Sequence, residues 1–274
     1  MKKALLVISL LGLGLTGFSQ GIKTPAPSPS QTIKQDFSLS SIEVNYSRPT
    51  VKGRKIFGDI VPFGKMWRTG ANSPTKITFG EDVKIAGKDL KAGSYQLITI
   101  PGQNSWEIIF NTGTNGVFNY KPEENVLKVN VPSSSVAQSV ESFSIQLANV
   151  SSNKLDIQIS WEKTQVNIPV ETEIDAKILA NIQKVMSQDA KPYFEAASFY
   201  FEKGMQLEKA LEWVNKANEN NPTAYWQFHL KAKIQAKLGD KVGAKTTALK
   251  SIELAKAGKN DDYVALNEKL IQSL

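Results

Sequence analysis

The sequence predicts an α+β chain in two parts: an all-β sandwich or jelly-roll domain, then an all-α region of tetratricopeptide-like helical repeats. Three observations carry this. Apolar residues recur at every second position up to about Ile168, and from Glu171 they recur with a helical period. A weak internal repeat of 34 residues then runs through the last third of the chain.

The opening residues read as an export signal. Lys2 and Lys3 precede a twelve-residue, mostly apolar run, Ala4–Leu15, and Gly17 and Ser19 stand at positions −3 and −1 of a cut before Gln20. The run is too short to span a bilayer comfortably, and no cysteine is present to carry a lipid. The mature chain is therefore expected outside the cytoplasm, in the periplasm or at the cell surface. No membrane span is expected once residues 1–19 are removed. Prolines at 25, 27 and 29 make residues 20–30 an extended tether.

The β domain is placed at 31–168. Ile42, Val44 and Tyr46 alternate with Glu43, Asn45 and Ser47; Phe143, Ile145 and Leu147 alternate with polar or small neighbours; Leu155, Ile157, Ile159 and Trp161 do the same. Such alternation marks strands with one face on a core. Lys76–Phe79, Val83–Ala86, Ser94–Ile100, Trp106–Asn111 and Val126–Val131 complete a set of about eight short strands. Ala86–Asp89, Ala92–Gly93, Pro101–Asn104 and Thr112–Gly116 are read as turns between them. This pattern does not separate a sandwich from a barrel.

The helical region is placed at 171–274. Ile174, Ile178, Ile182 and Val185 form one apolar stripe over Glu173–Ser187. With repeats starting at Lys191 and Tyr225, Ala210 aligns with Ala244, Ala217 with Ser251, and Met205–Leu207 with Gly239–Lys241 at the turn between paired helices. Pro222 stands two residues before the second unit. Lys191–Ala224 and Tyr225–Gly258 thus resemble two tetratricopeptide repeats, with Phe194 and Phe228 where a tryptophan is usual. Glu173–Ser187 and Asp261–Ser273 are the flanking helices that such pairs need to bury their faces.

Composition removes several kinds of chemistry. Without cysteine there is no thiol nucleophile and no thiolate-bound zinc, and one histidine, His229, excludes a multi-histidine metal site. A Ser-His-Asp triad would have to be built on that single imidazole. No cofactor motif and no metal-ligand cluster is read. The formal charge of +7 falls to +5 on loss of Lys2 and Lys3. Residues 20–165 carry 16 basic and 12 acidic groups and residues 166–274 carry 15 and 14, all dispersed. A nucleic-acid surface would concentrate that charge, so no nucleic-acid partner is expected.

One segment stands apart. All three arginines, Arg48, Arg54 and Arg68, fall within Tyr46–Asn72, and the other 30 basic residues are lysine. A planar guanidinium suits fixed ion pairs and bidentate anion contacts, so their confinement points to a built geometry. The apolar residues Ile56, Phe57, Ile60, Val61, Phe63, Met66 and Trp67 are too many for a free loop, and a loop pinned over the β core is expected. Tyr46–Pro49, Gly53–Gly58, Val61–Gly64, Trp67–Asn72 and Ala92–Tyr95 together resemble the domain-of-unknown-function family 2911, exported proteins of Bacteroidetes-type bacteria. The resemblance implies the β architecture, a common helical tail and an exported location, and it implies no activity.

The site reading is correspondingly restrained: no catalytic, cofactor-binding or metal-binding residue, and a ligand-binding set of Arg48, Arg54, Trp67, Arg68 and Asn72. Trp67 beside Arg68 would offer a flat face and a charged fork to an anionic small molecule or glycan. The structural alternative has the guanidiniums pairing with Asp59, Glu43, Glu81 or Asp82, with Trp67 in the core beside Trp106 and Trp161. The function expected is a non-enzymatic binding or scaffold protein of the bacterial envelope, with a protein or peptide partner on the helical repeats. The rival is a carbohydrate-active hydrolase using carboxylates such as Asp59, Glu81 and Asp82 near Trp67. An envelope-assembly component differs from the first reading only in its partner.

Overall fold

The structure, a computed structural model, describes residues 24–114, 116–189 and 191–274. The export signal and the start of the tether lie outside the described residues. The chain divides into two units, one ending at Glu173 and the other spanning Ile174–Leu274.

The first unit is a nine-stranded antiparallel sheet: β1 (Ser30–Phe37), β2 (Ser40–Ser47), β3 (Lys76–Phe79), β4 (Val83–Ile85), β5 (Lys88–Leu90), β6 (Gly93–Pro101), β7 (Ser105–Asn111), β8 (Asn125–Ala148) and β9 (Lys154–Glu171), in the order β1-β2-β3-β6-β7-β8-β9-β4-β5. The alternation read in the sequence sets the faces. Ile42, Val44 and Tyr46 are buried on β2, and Ile157 and Ile159 on β9, while Glu43 and Asn45 face solvent.

This sheet is not flat. β2 and β8 are four places apart in the order, which in a flat sheet separates them by about 19 Å. Yet the Tyr46 hydroxyl lies 3.1 Å from both the backbone nitrogen and oxygen of Ile145 on β8. The sheet therefore folds over on itself, and residues from β1 to β9 share one core. β8 makes the fold possible. Its first third pairs with β7 (Trp106↔Val131, Phe110↔Leu127) and its later part with β9 (Ser144↔Ser160, Leu147↔Ile157), with register shifts between Ser135 and Ser144 where the strand changes layers. Two segments read as separate short strands are thus one. β1 and β5 remain as open edges, a sandwich rather than a closed barrel.

Two further strands differ from the sequence reading. β1 carries Gln31 and Gln35 at the positions that alternate inward with Ile33 and Phe37, so it shows no apolar face to read. β5 takes up Lys88 and Asp89, and the true turn is Ala86–Gly87, both at positive φ (47° and 81°), the pair a two-residue hairpin demands.

The second unit contains six helices among the described residues: α1 (Asp175–Val185), α2 (Tyr193–Glu202), α3 (Leu207–Asn220), α4 (Tyr225–Lys237), α5 (Lys241–Ala257) and α6 (Asp261–Gln272). α2 packs on α3 and α4 on α5, with α6 against α5. Ala210, Ala244 and Ser251 are fully buried and Ala217 nearly so, which lets the paired helices approach closely. Ile182, Tyr200, Trp213 and Val214 centre its core, with Ile178 packed against them. No helix of the described residues is long and apolar enough to cross a membrane.

Candidate functional site

The arginine segment is a pinned loop with two limbs, and backbone hydrogen bonding explains both. β8 loses β7 as a neighbour after Pro132, which would leave the inner edge of its second half bare. The limb following β2 covers that edge. Phe143 N–H donates to Pro49 O (2.8 Å) and Val51 N–H to Glu141 O (2.8 Å), with a bridge between Thr50 and Ser142. Pro49 itself has no donor, so it serves here through its carbonyl alone. The second limb covers β6 where the short β3 leaves off. Leu97 N–H donates to Thr75 O, Trp67 and Thr99 exchange bonds of 2.8 and 2.9 Å, and Gly64 N–H reaches Pro101 O. Both limbs pair strand edges that would otherwise be unsatisfied.

The three guanidiniums act within this loop. Arg48 donates from Nε to Phe143 O (3.0 Å) and from Nη2 to Ser144 Oγ (2.9 Å), reinforcing the edge closed by its own backbone. Arg54 donates to Val51 O (3.0 Å) and Thr50 O (2.6 Å), closing the Lys52–Gly53 turn on itself. Arg68 donates from Nη1 to Asn72 O (2.7 Å), and its guanidinium lies 4.7 Å from the ring centre of the exposed Phe118. Among the described residues none of the three forms an ion pair with a carboxylate. Their partners are carbonyls, a hydroxyl and a ring.

Trp67 sits at the middle of an aromatic cluster. It stacks on Trp161 (5.8 Å, 17° between planes) and meets Phe57, Trp106 and Phe143 edge-on at 5.2–6.0 Å. Its Nε1–H donates to Gly70 O at 3.0 Å. At Gly70, with φ +150°, a Cβ would lie 3.0 Å from Ser47 O and 3.2 Å from Thr75 Oγ1, so only glycine lets the limb turn back here. Asn72, at φ 57°, donates from Nδ2 to Ser28 O (3.0 Å) and Ser47 Oγ (3.4 Å), tying the end of the tether to β2. Arg68 and Asn72 are brought together, while Trp67 turns inward from them.

The carboxylates have local partners. Glu81 accepts from Leu39 N–H at 3.1 Å; Asp82 accepts from Ala92 N–H at 2.9 Å and pairs with Lys91 at 2.8 Å; Asp59 is exposed. Among the described residues there is no cluster of three or more histidine, cysteine or acidic side chains that could hold a metal. His229 accepts no such role either. Its Nδ1 lies 2.9 Å from Asn267 Oδ1, and Asn267 donates its amide to Ser251 Oγ and Tyr263 O, which fixes Oδ1 as acceptor and Nδ1–H as donor. Burial lowers the His229 pKa below that of a free imidazole, against the Asn267 hydrogen bond, which raises it.

The structural role of one residue was not legible in the sequence. Tyr46, at 2% exposure, uses its hydroxyl to satisfy Ile145 across the two layers, also lying 3.0 Å from Gln31 Oε1. Its only sequence signal is a hydroxyl on an inward-facing strand position where phenylalanine would pack as well.

These features define a folded-over antiparallel sheet locked by an arginine- and tryptophan-bearing loop, followed by a helical unit. The chain belongs to the family described as protein of unknown function DUF2911, whose model matches residues 28–170, from the end of the tether to the last buried residue of β9. No curated protein and no solved structure gives a match.

Proposed function

We propose that this chain is a non-enzymatic, exported binding or scaffold protein whose helical unit holds an acidic segment of a partner protein. The observation that carries the reading is helix α4. Its thirteen residues, YWQFHLKAKIQAK, include three lysines and no carboxylate. Lys233 and Lys237, both exposed, lie over the Phe201 ring of α2 at 4.9 and 5.3 Å, and Lys203 lies over Phe199. Trp226, at 36% exposure, extends the same helix. Cations stacked on aromatic rings at a helix-pair surface suit a partner that offers carboxylates together with apolar side chains.

The helix pairs α2–α3 and α4–α5, with small residues buried at repeat-related positions, support a tetratricopeptide-like array, an architecture suited to protein contact. In this reading the arginine segment is a clamp that keeps the β unit rigid: Arg54 and Arg68 donate to the loop's own carbonyls, and Arg48 ties it to Phe143 O and Ser144 Oγ of β8. Delivery outside the cytoplasm rests on the N-terminal sequence.

The test is fluorescence anisotropy of a labelled peptide alternating glutamate with phenylalanine, titrated with the intact protein. Binding should weaken with salt, and the double change Lys233→Glu, Lys237→Glu should weaken it by about tenfold or more. Binding that is unchanged by both substitutions, or absent at low salt, refutes the reading.

A further inference from the structure

The β unit has an opening beside its edge strand β1. β1 is an edge strand, and its inward face overhangs the free edge of β8. Between them lies a groove of about 340 Å³, lined by β1, Tyr46, Arg48 and Ser144–Leu147. That volume is at the lower end of small-molecule sites and suits a single substituted ring.

Its lining mixes amides, a guanidinium and apolar side chains. Gln31 and Gln35 occupy core-side positions on β1 and remain half-buried, flanking Ile33. Gln31 Oε1 lies 3.0 Å from the Tyr46 hydroxyl and Gln35 Nε2 donates to Asp36 O at 3.0 Å, which leaves Gln31 Nε2 and Gln35 Oε1 without a partner among the described residues. Of the two charged residues in the lining, Lys34 alternates onto the solvent face of β1 with Glu43, so Arg48 supplies the charge of the groove. Arg48 is held in place by Phe143 O and Ser144 Oγ, with no acceptor for Nη1 among the described residues. A guanidinium fixed by two bonds with a nitrogen to spare is pre-oriented for an anion.

Backbone adds one more pair of groups. The edge-facing N–H and C=O of Phe143 and Ile145 are taken up by Arg48, Pro49 and Tyr46. By strand alternation Leu147 is the next residue to present both groups to the same edge, and it faces the groove. Its side chain and Ile33 supply an apolar patch.

We infer that this groove binds a monosaccharide-sized anion, a hydroxyl-rich ring bearing a carboxylate or a phosphate. The anionic group sits on Arg48, the hydroxyls on the Gln31 and Gln35 amides and the Leu147 backbone, and the ring face on Ile33. The site lies on the β unit and stands independently of the helical partner surface.

The experiment is a two-dimensional amide NMR titration of the intact protein with glucuronate, glucose 6-phosphate, glucose and inorganic phosphate. At least one of the charged sugars should shift the signals of Gln31–Gln35 and Ser144–Leu147 saturably at millimolar concentration. Glucose should bind about tenfold or more weakly. Gln35→Ala should weaken the charged sugar without altering signals elsewhere, since the only bond it removes is a local one to the neighbouring Asp36 carbonyl. A response to glucuronate alone or to glucose 6-phosphate alone identifies the anionic group. Inorganic phosphate binding as tightly as the charged sugars overturns the ring, and no saturable shift at these residues by about 20 mM overturns the site.

Discussion

Replacing Tyr46 with phenylalanine tests how the two layers of the β unit are joined. The ring stays, including its edge-on contact with Phe143 at 5.8 Å. Only the hydroxyl is lost, and with it the partner of the Ile145 N–H and C=O, both at 3.1 Å. Ile145 is 1% exposed, so water does not replace that partner freely. A buried backbone donor left unpaired costs about 1–3 kcal/mol, and about 2 kcal/mol is expected here. With a urea slope of about 2 kcal/mol/M for a unit of this size, the midpoint should fall by about 1 M at unchanged slope. The readout is near-ultraviolet circular dichroism, to which the Trp67–Trp161 stack gives a signal specific to this unit. Tyr95→Phe is the control, because its hydroxyl donates to the carbonyl of the exposed Lys91 at 2.8 Å and leaves no buried donor behind. A Tyr46→Phe midpoint within about 0.2 M of the parent would refute the reasoning. The limb at Pro49–Val51 would then close the β8 edge unaided.

Two further outcomes follow from the same structure. Trp67→Ala removes the central ring of a five-membered aromatic cluster and should cost about 3–5 kcal/mol in denaturant unfolding, with loss of most of the near-ultraviolet signal; a cost below about 1 kcal/mol would mean the ring is peripheral. His229 gives the helical unit a pH dependence. Its folded pKa is depressed by burial, so the unfolded chain takes up the proton first; stability is full above about pH 7 and declines as pH falls through the unfolded value near 6.5. Thermal melts followed by the helical far-ultraviolet signal should show this decline between about pH 7 and 5.5, and His229→Gln should flatten it. An equal decline in the variant would place the dependence elsewhere.

The parts legible in the sequence were those written in side chains that repeat. Ile42, Val44 and Tyr46 announce β2, and Ala210 with Ala244 announces two helix pairs in register. β1 was hidden because Gln31 and Gln35 occupy two of its four inward positions, leaving only Ile33 and Phe37 to mark an apolar face. The unity of β8 was hidden because Ser133–Ser142 has no apolar period where the strand crosses between layers. The arginines could be singled out but their partners could not: a backbone carbonyl is present at every residue, so nothing at Thr50, Asn72 or Phe143 marks it as the acceptor. Carboxylates were the natural guess for a guanidinium, and the acceptors are main-chain carbonyls of the loop and of β8 instead, with the Ser144 hydroxyl.

Because β8 is a member of both layers, the β unit has no independently stable half. A break in the chain near the crossing at Ser135–Ser144 would deprive each sheet of the same strand, so neither fragment could keep its apolar side covered. Melting of this unit should be a single event.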